Sequence, residues 1–369
     1  MDKLRILVLN QDFPPMGGGA SPVSYELAKG YVKLGHKVDV VTMHFKGLPY
    51  FEKKDGINIH RVKCMRSKKE ITHPWELLSY IRSAKKFLRN YLKSNNYNIC
   101  HCHFIIPTGI IALWLKKKYN LPYIITAHGS DVPGYNPDRF KLMHKFTSRM
   151  LRNICDNAKA IISPSKFLAN LIKENINYYK IKVIPNGINP KEFIPKNKNK
   201  IILSTGKLIQ RKGFQYLIQA VSDKDLGWEI HICGYGPYRR ELENLSKDSK
   251  TKVVFHGFLN NKSNEYKFLL ESASIYSLVS LKENASISLL EAMSAGCAVI
   301  TSDVSGCPET VHNAGISIEP ENIGVLRKTI KNLIGHPILI NKYGKMARKK
   351  VSEDFNWEKI IKEYEGVLR

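Results

Sequence analysis

Short apolar runs alternate with amphipathic segments along the whole chain. Runs flanked by polar residues predict buried β-strands, and the segments between them, where apolar residues recur every three or four positions, predict helices. The predicted strands are 4–9, 37–43, 57–62, 98–103, 123–128, 160–165, 200–206, 228–234, 252–257, 273–280, 298–303 and 315–320. Strands that alternate with helices predict parallel, doubly wound sheets, so we expect an α/β fold.

The chain is long enough for two domains. Its 369 residues exceed one ordinary domain, and a linker rich in Pro, Asn and Lys, 185–200, separates two series of predicted strands. We therefore predict two tandem Rossmann-like domains, an N-terminal one over 1–190 and a C-terminal one over 191–352. Ligands of such sheets bind at the carboxyl ends of the strands, so we expect the site in an interdomain cleft.

Residues 100–103, Cys-His-Cys-His, look like a metal site. Successive side chains of a strand point to opposite faces, so Cys100 and Cys102 would share one face and His101 and His103 the other. Four adjacent strand residues cannot converge on one tetrahedral zinc ion. We therefore predict a core strand with no metal bound, whose last residue, His103, reaches the site.

Charge narrows the range of partners. The formal net charge is +26, and most of it falls in residues 1–194. Such an excess fits an anionic partner (nucleic acid, an anionic membrane surface or a phosphorylated substrate), or equally a lysine-rich but otherwise ordinary surface. The seven cysteines lack a framework spacing and predict free thiols. The sequence shows neither a signal peptide nor an apolar run of membrane-spanning length, so we expect the cytoplasm.

Two carboxylates mark the most informative motif, within 282–303. Glu283 follows a predicted strand, and Glu291 lies eight residues later, two turns into the next predicted helix. Both can face one ligand, and the N–H groups at the helix start favour an anion such as phosphate. This combination suits a sugar nucleotide, although solvated glutamates would give the same letters.

Three further motifs follow predicted strands. Lys207, Arg211 and Lys212 crowd the strand–helix loop at 204–214, where cations could neutralise phosphates or simply remain solvated. The glycines at 17–19 allow close backbone approach to a ligand, but G-x-G-x-x-G fails at Pro22 and no acidic residue ends the next strand, which disfavours a nicotinamide enzyme. His128 ends the predicted strand 123–128, immediately before Gly129, and is expected at the site.

Taken in order, these motifs resemble the retaining GT-B glycosyltransferases of family GT4 (group 1). The family pattern of two glutamates separated by seven residues, followed by Ala-Met, stands here as Glu283 and Glu291-Ala-Met. The segments 183–193 and 232–237 resemble the hinge and the Gly-x-Gly-Pro loop of the family, and 101–103 resembles its His-x-His. The segment 354–364 resembles its closing helix, so the resemblance implies that 353–369 return to the N-terminal domain.

The resemblance implies a hexosyltransferase-like enzyme (EC 2.4) and a role for each residue of the site. Glu283 would contact hydroxyls of the transferred sugar, Glu291 the ribose hydroxyls, and His128 the reacting sugar. Lys207 and Lys212 would stabilise the leaving diphosphate. Because Lys207 stands where the family commonly has Arg, binding would rely more on Arg211 or Lys212. The remaining donor-binding residues would be Gly18, Gly19, Phe258, Leu259, Ala285, Ser286 and Ile287.

The implied reaction retains the anomeric configuration and needs neither a metal nor a cofactor. The donor would be a nucleoside diphosphate sugar, and the acceptor hydroxyl would belong to a sugar, a glycolipid or a phosphorylated molecule. Two alternatives use other chemistry: a nucleotide-sugar isomerase or phosphorylase on the same fold, and a nucleic-acid-binding protein. The second is disfavoured because aromatic residues do not interleave with the basic runs.

The helical pattern at 73–93 bears on the acceptor. Trp75, Leu78, Ile81, Leu88 and Leu92 are apolar, and the segment also carries five basic residues and one acid. Such a helix could rest on an anionic bilayer, which would place the protein peripherally at the inner face of the membrane. Alternatively, its apolar face packs into the domain core.

Overall fold

The computed structural model describes residues 2–69, 72–135, 148–178 and 180–369. The chain divides into two compact units. The first unit comprises Met1–Asn186 together with Trp357–Arg369, and the second comprises Gly187–Asn356.

The first unit is built on an eight-stranded sheet with the order β3-β4-β2-β1-β5-β6-β7-β8. Its strands are β1 (Arg5–Leu9), β2 (Lys37–Met43), β3 (Phe51–Lys54), β4 (Ile57–Val62), β5 (Ile99–His103), β6 (Tyr123–Thr126), β7 (Ala160–Ser163) and β8 (Ile181–Val183). Its helices up to the end of the sheet are α1 (Ala20–Lys33), α2 (Pro74–Tyr91), α3 (Thr108–Tyr119), α4 (148–156) and α5 (Lys166–Ile176).

All six predicted strands of this half are present, and two strands escaped prediction. β3 pairs antiparallel with β4, whereas the remaining pairs of the sheet are parallel. Both missed strands, β3 and β8, lie at the edges of the sheet with mostly exposed side chains. An exposed edge strand needs no apolar run, so the hydrophobic pattern does not reveal it.

Strand β5 has the predicted alternation of faces. The sulfur atoms of Cys100 and Cys102 lie 3.7 Å apart, and the rings of His101 and His103 lie 4.4 Å apart. All four side chains are buried, and both cysteines are free thiols. Among the residues that the structure describes, no group of three or more His, Cys, Asp or Glu side chains is arranged to hold a metal ion.

The second unit contains a six-stranded, wholly parallel sheet with the order β11-β10-β9-β12-β13-β14. Its strands are β9 (Asn199–Thr205), β10 (Glu229–Cys233), β11 (Lys252–Gly257), β12 (Ala273–Leu278), β13 (Ala298–Ser302) and β14 (Ile316–Ile318), all of them predicted. Its helices are α6 (Phe214–Val221), α7 (Arg239–Ser246), α8 (Asn264–Ser272), α9 (Ile287–Ser294), α10 (Cys307–Val311), α11 (Ile323–Gly335) and α12 (Pro337–Asp354). Two apolar clusters cover the faces of this sheet.

The strand orders locate the edge where each unit can bind a ligand. In the first unit β1 lies between β2 and β5, and in the second β9 lies between β10 and β12. Successive strands are added first on one side of β1 or β9 and later on the other side. The loops at such a switch point diverge and leave a crevice at the carboxyl edge of the sheet. The predicted glycines at 18 and 19 follow β1, the three predicted cations follow β9, and the two predicted glutamates follow β12.

A last helix, α13 (Trp357–Leu368), belongs to the first unit. Gly30 of α1 faces the side chain of Ile361 so closely that a Cβ atom at Gly30 would collide with it. Thr126 Oγ1 at the end of β6 donates a hydrogen bond to Tyr364 Oη at 3.2 Å. Among the described residues, no helix combines the length and the apolar character that crossing a bilayer requires.

The contact between Gly30 and Ile361 predicts opposite effects for two similar substitutions. Gly366→Ala places a methyl group in open space and should stabilise the protein by about 0.5 kcal/mol through helix propensity. Gly30→Ala has the same propensity gain but forces Ile361 to shift, and we expect a net loss of about 1–2 kcal/mol. Urea unfolding of both variants measures the difference. Equal stabilisation by the two substitutions would contradict this packing.

Candidate active site

The loops after β9 and β12 are held together backbone to backbone at the carboxyl edge of the second sheet. Leu281 N donates to the carbonyl oxygen of Arg211 at 2.8 Å, and Ser280 Oγ donates to that of Lys212 at 3.4 Å. Gly213 has a φ of 76°, and a Cβ atom there would collide with the carbonyl oxygen of Val279. Only glycine permits both the left-handed backbone and this approach.

This approach brings two predicted site residues into contact. Lys212 Nζ forms an ion pair with Glu283 Oε2, and both side chains are mostly buried. The carbonyl group of Glu283 in turn accepts a hydrogen bond from Gly306 N at 3.1 Å, which ties the β12 loop to the start of α10. The hydrogen bonds between the loops therefore fix the backbone positions from which the two charged side chains meet.

Lys207 and Arg211 occupy the same β9 loop with exposed side chains. The loop after β10 supports this loop from the other side, since Leu208 N donates to the carbonyl oxygen of Tyr235 at 3.1 Å. Gly234 is required there because a Cβ atom would collide with the carbonyl oxygen of Gly206. The structure thus gathers the three predicted cations on one loop, where Lys212 pairs with Glu283.

Glu291 lies inside the unit, on the second turn of α9, with 5% of its surface exposed. Tyr266 Oη donates to Oε2 of Glu291 at 2.6 Å, and Asn261 Nδ2 donates to Oε1 at 3.2 Å. Burial raises the pKa of Glu291 to about 7, although the two hydrogen bonds lower it. The carboxylate therefore changes charge near neutral pH.

The segment before α9 carries the remaining predicted donor residues of this loop. Ser286 precedes the first helical residue, Ile287, and its hydroxyl lies 3.0 Å from that of Ser288. Ala285 comes immediately before Ser286. The N–H groups in the first turn of a helix have no carbonyl partners within the helix, so this turn can accept an anion.

Phe258 and Leu259 follow β11. Phe258 is 76% exposed, whereas Leu259 packs against the apolar cluster beneath α9. The exposed ring of Phe258 can therefore contact a planar ligand that binds at the carboxyl edge of the sheet. Within the part of the chain that the structure describes, no contact joins Phe258 to the carboxylates or the cations named above.

His128 lies in the first unit, in the loop after β6. Its Nε2 atom is 3.1 Å from Nδ1 of His103, at the end of β5, and the two rings stack with centroids 5.3 Å apart. Burial lowers the pKa of His128 to about 3 and that of His103 well below its usual value. Both imidazoles are therefore neutral at physiological pH.

A buried carboxylate fixes the loop that carries His128. Oδ1 of Asp131 accepts hydrogen bonds from the backbone N–H groups of His128 and Gly129, each at 3.0 Å. Oδ2 accepts one from Ile105 N, in the loop after β5, at 2.8 Å. Burial raises the pKa of Asp131 while these bonds lower it. Asp131 thus joins the two loops beneath the imidazole pair.

Gly18 and Gly19 lie immediately before α1, and a Cβ atom at either position would meet no neighbouring atom. The loop that contains them is held by an ion pair between Asp12 and Arg66 at 2.7 Å. Gly17 N also donates to the carbonyl oxygen of Lys69 at 3.1 Å. The position of this loop is therefore fixed, and the space beside Gly18 and Gly19 at its end is open.

The sequence alone did not reveal Asp131, Tyr266 or Asn261 as parts of these sites. Asp131 was within reach of prediction, because Asp side chains in loops commonly hydrogen bond to nearby backbone N–H groups. Tyr266 and Asn261 precede Glu291 by a strand and a loop, and their contact with it exists only in the folded unit.

Comparisons with known proteins identify the family of this chain. The model of the family described as Glycosyltransferase Family 4 matches residues 17–192, and that described as Glycosyl transferases group 1 matches residues 187–350. An uncharacterized glycosyltransferase of Methanocaldococcus jannaschii is 29% identical, over 99% of this chain and 98% of its own. A second from the same organism is 30% identical over 78% of each chain.

A solved structure has the same fold. The HepE protein of Anabaena, in complex with UDP, superposes with a TM-score of 0.80 at 18% identity and covers 99% of both chains. This likeness, together with the two α/β units, confirms the predicted GT-B fold class.

The raised pKa of Glu291 predicts a pH dependence of stability. The pKa in the folded protein, about 7, lies above the ordinary value of 4.5. The carboxyl group therefore contributes stability that is fully present below pH 4.5 and is lost as the pH rises through 7. Relative to Glu291→Gln, which cannot ionise, we expect the unfolding free energy of the ligand-free protein to fall by about 3 kcal/mol up to pH 8. Urea unfolding across this range tests it, and a constant difference between the two proteins would contradict it.

Proposed function

Because the chain belongs to the GT4 (group 1) family of glycosyltransferases, and is therefore a sugar-transferring enzyme, we propose that it uses a nucleoside diphosphate sugar as donor. The sugar passes to an acceptor hydroxyl with retention of configuration. The observation that carries this proposal is the Lys212–Glu283 ion pair. It joins a loop rich in cations to a loop that continues into the helix of Glu291.

Different charged residues of the second unit bind different parts of the donor. Glu291 accepts hydrogen bonds from the ribose hydroxyls, and the diphosphate binds Lys207, Arg211 and Lys212. The N–H groups of Ala285, Ser286 and Ile287 add donors for phosphate or sugar oxygens. When a phosphate forms an ion pair with Lys212 in place of Glu283, the Glu283 carboxylate becomes available to accept hydrogen bonds from the sugar hydroxyls.

The transfer takes place on one face of the sugar. The bond between C1 and the leaving phosphate oxygen breaks, and the acceptor oxygen bonds to C1 from the same side. The acceptor proton moves to the leaving phosphate oxygen, so no side chain need act as nucleophile. Catalysis then rests on positioning and on stabilisation of the departing diphosphate by fixed positive groups.

The proposed reaction needs no metal ion at the diphosphate. Three cationic side chains and the start of α9 supply the positive potential that a divalent cation would otherwise supply.

His128 contributes as a neutral group. An imidazole whose pKa is lowered to about 3 by burial carries no charge at neutral pH. It can therefore approach a sugar that develops positive charge in the transition state without repelling it. Asp131 holds its backbone, and Gly18 and Gly19 lie at the open end of the β1 loop, where they leave space for phosphate or acceptor.

For the base of the donor, we propose contact with the backbone at Phe258 and Leu259. UDP is the first nucleotide to test, because it is bound in the HepE structure. The identity between the two chains is low, so ADP and GDP belong in the same panel.

The solvent face of α2 supports an acceptor at an anionic lipid surface. Ile81 and Leu88 pack into the core, as the ordinary packing of a surface helix requires, but Trp75 and Leu78 are 55% and 57% exposed. Arg82 and Lys86 continue the same exposed stripe. An exposed Trp-Leu pair followed by cations is the pattern of an interfacial helix. We therefore propose a lipid-linked or phosphorylated acceptor and peripheral binding at the inner face of the membrane.

The donor proposal predicts saturable thermal stabilisation by one nucleoside diphosphate. We expect the unfolding temperature to rise with UDP, ADP or GDP, or with one of their glucose conjugates, and the rise to be unchanged by EDTA. Glu291→Ala should abolish it. Stabilisation that appears only with added Mg²⁺ or Mn²⁺ would contradict metal independence, and none with any nucleotide would contradict the donor site.

Lys212 should matter far more than a lysine in an exposed ion pair elsewhere in the unit. Lys212→Met removes the cation nearest Glu283, and we expect kcat to fall about 100-fold. Lys252→Met breaks the exposed pair between Lys252 and Glu229 and serves as the matched control, with expected activity near that of the wild type. Similar losses in both variants would contradict the assignment.

The membrane proposal predicts binding to vesicles that contain phosphatidylglycerol, weakened by salt because the cations contribute. Replacing both Trp75 and Leu78 with Ser should reduce sedimentation with these vesicles about tenfold or more. Ile338→Ser is the control, since Ile338 is 82% exposed on α12. If the double variant sediments like the wild type, α2 is not the membrane-binding surface.

A further inference from the structure

We propose that Tyr266 is a positioning residue for the nucleotide donor, because its hydroxyl fixes the Glu291 carboxylate in the orientation that accepts the ribose hydroxyls. The inference rests on the proposed donor site. It adds to that site a residue that would not itself touch the nucleotide.

The hydrogen bonds that Glu291 accepts leave its carboxylate with the capacity for two further donors. Tyr266 Oη donates to Oε2 at 2.6 Å and Asn261 Nδ2 donates to Oε1 at 3.2 Å. Each carboxylate oxygen can accept two hydrogen bonds. Each oxygen therefore keeps one acceptor position, and two neighbouring hydroxyl groups of a ribose would match this pair.

The tyrosine is itself anchored by buried hydroxyl groups. Its Oη lies 3.5 Å from Oγ1 of Thr205, which lies 2.9 Å from Oη of Tyr276 on β12. All three side chains are buried. Thr205 is the last residue of β9 and immediately precedes the basic loop. The hydroxyl chain therefore connects the carboxylate to the strand end that carries the predicted phosphate-binding residues.

The surroundings of Glu291 give Tyr266 a second effect. The titratable and charged groups that face it are Tyr266 from α8, Tyr276 from β12 and Glu192 from the segment Pro190–Glu192, with the neutral amide of Asn261 beside them. Burial raises the pKa of Glu291, Glu192 raises it further, and the hydroxyl of Tyr266 is the largest opposing influence. Burial also raises the pKa of Tyr266 well above its usual value, so its hydroxyl stays protonated and continues to donate.

The test is UDP binding to the full chain by calorimetry between pH 5.5 and 9, with ADP and GDP in parallel. Because the ribose hydroxyls require an ionised acceptor, wild-type binding near pH 7 should release a proton, seen as a dependence of the heat on the buffer. In Tyr266→Phe, which removes only the hydroxyl, we expect about tenfold weaker binding at pH 7. The midpoint of the pH dependence should move up by about one unit.

Two variants serve as controls for this experiment. Tyr276→Phe removes another buried hydroxyl, which reaches Tyr266 only through Thr205. The midpoint of the pH dependence should therefore stay at the wild-type value. Asn261→Ala changes an exposed residue, so it should fold as the wild type does. It should move the midpoint in the same direction as Tyr266→Phe, but less.

The outcomes separate this inference from the donor proposal. If the wild type binds no nucleoside diphosphate, the donor proposal fails and this inference fails with it. If the wild type binds and Tyr266→Phe keeps both its affinity and its pH midpoint, only the role of Tyr266 is overturned. Lower thermal stability of Tyr266→Phe with an unchanged midpoint would likewise overturn it, since that is the effect of a purely structural residue.

Discussion

The close approach of loop backbones at the carboxyl edge of the second sheet is the constraint on which the proposed donor site depends. Gly213 and Gly234 allow carbonyl groups of neighbouring loops to come within a distance that any Cβ atom would block. The loops then hydrogen bond to each other through main-chain atoms. Lys212 and Glu283, far apart in sequence, meet because their backbones are fixed.

The two units stabilise their buried polar side chains in different ways. In the first, His103 and His128 lie against each other, and burial keeps both neutral, so no charge needs a counterion. In the second, Glu291 is buried beside two neutral donors and no cation contacts it among the described ion pairs. Hydrogen bonds alone offset much of the cost of burying its charge. Its charge therefore responds to pH and to added donors more readily than that of a residue in a buried ion pair.

The hydrophobic pattern predicted the fold well because burial is what that pattern records. It identified the buried strands of both sheets and missed β3 and β8, whose side chains are exposed. It also identified α2 but could not tell which apolar residues face the core, since Trp75 and Ile81 have similar hydrophobicity and opposite environments. Motifs located Glu283, Glu291 and Lys212 because strand ends gather loops at one edge. Tyr266 and Asn261 could not be found this way, because α8 must first pack against α9.

The cations of the β9 loop differ in environment, and this difference predicts different roles for them in the proposed donor site. Lys207 and Arg211 are exposed, so water screens their interaction with a bound phosphate more strongly, and they also attract anions approaching the surface. Lys212 is mostly buried against Glu283, where the lower dielectric strengthens its interaction with any phosphate. A lysine at position 207 can therefore stand where the family commonly has arginine. The loss of a bidentate contact at an exposed position is small when a neighbouring lysine lies in the less polar environment.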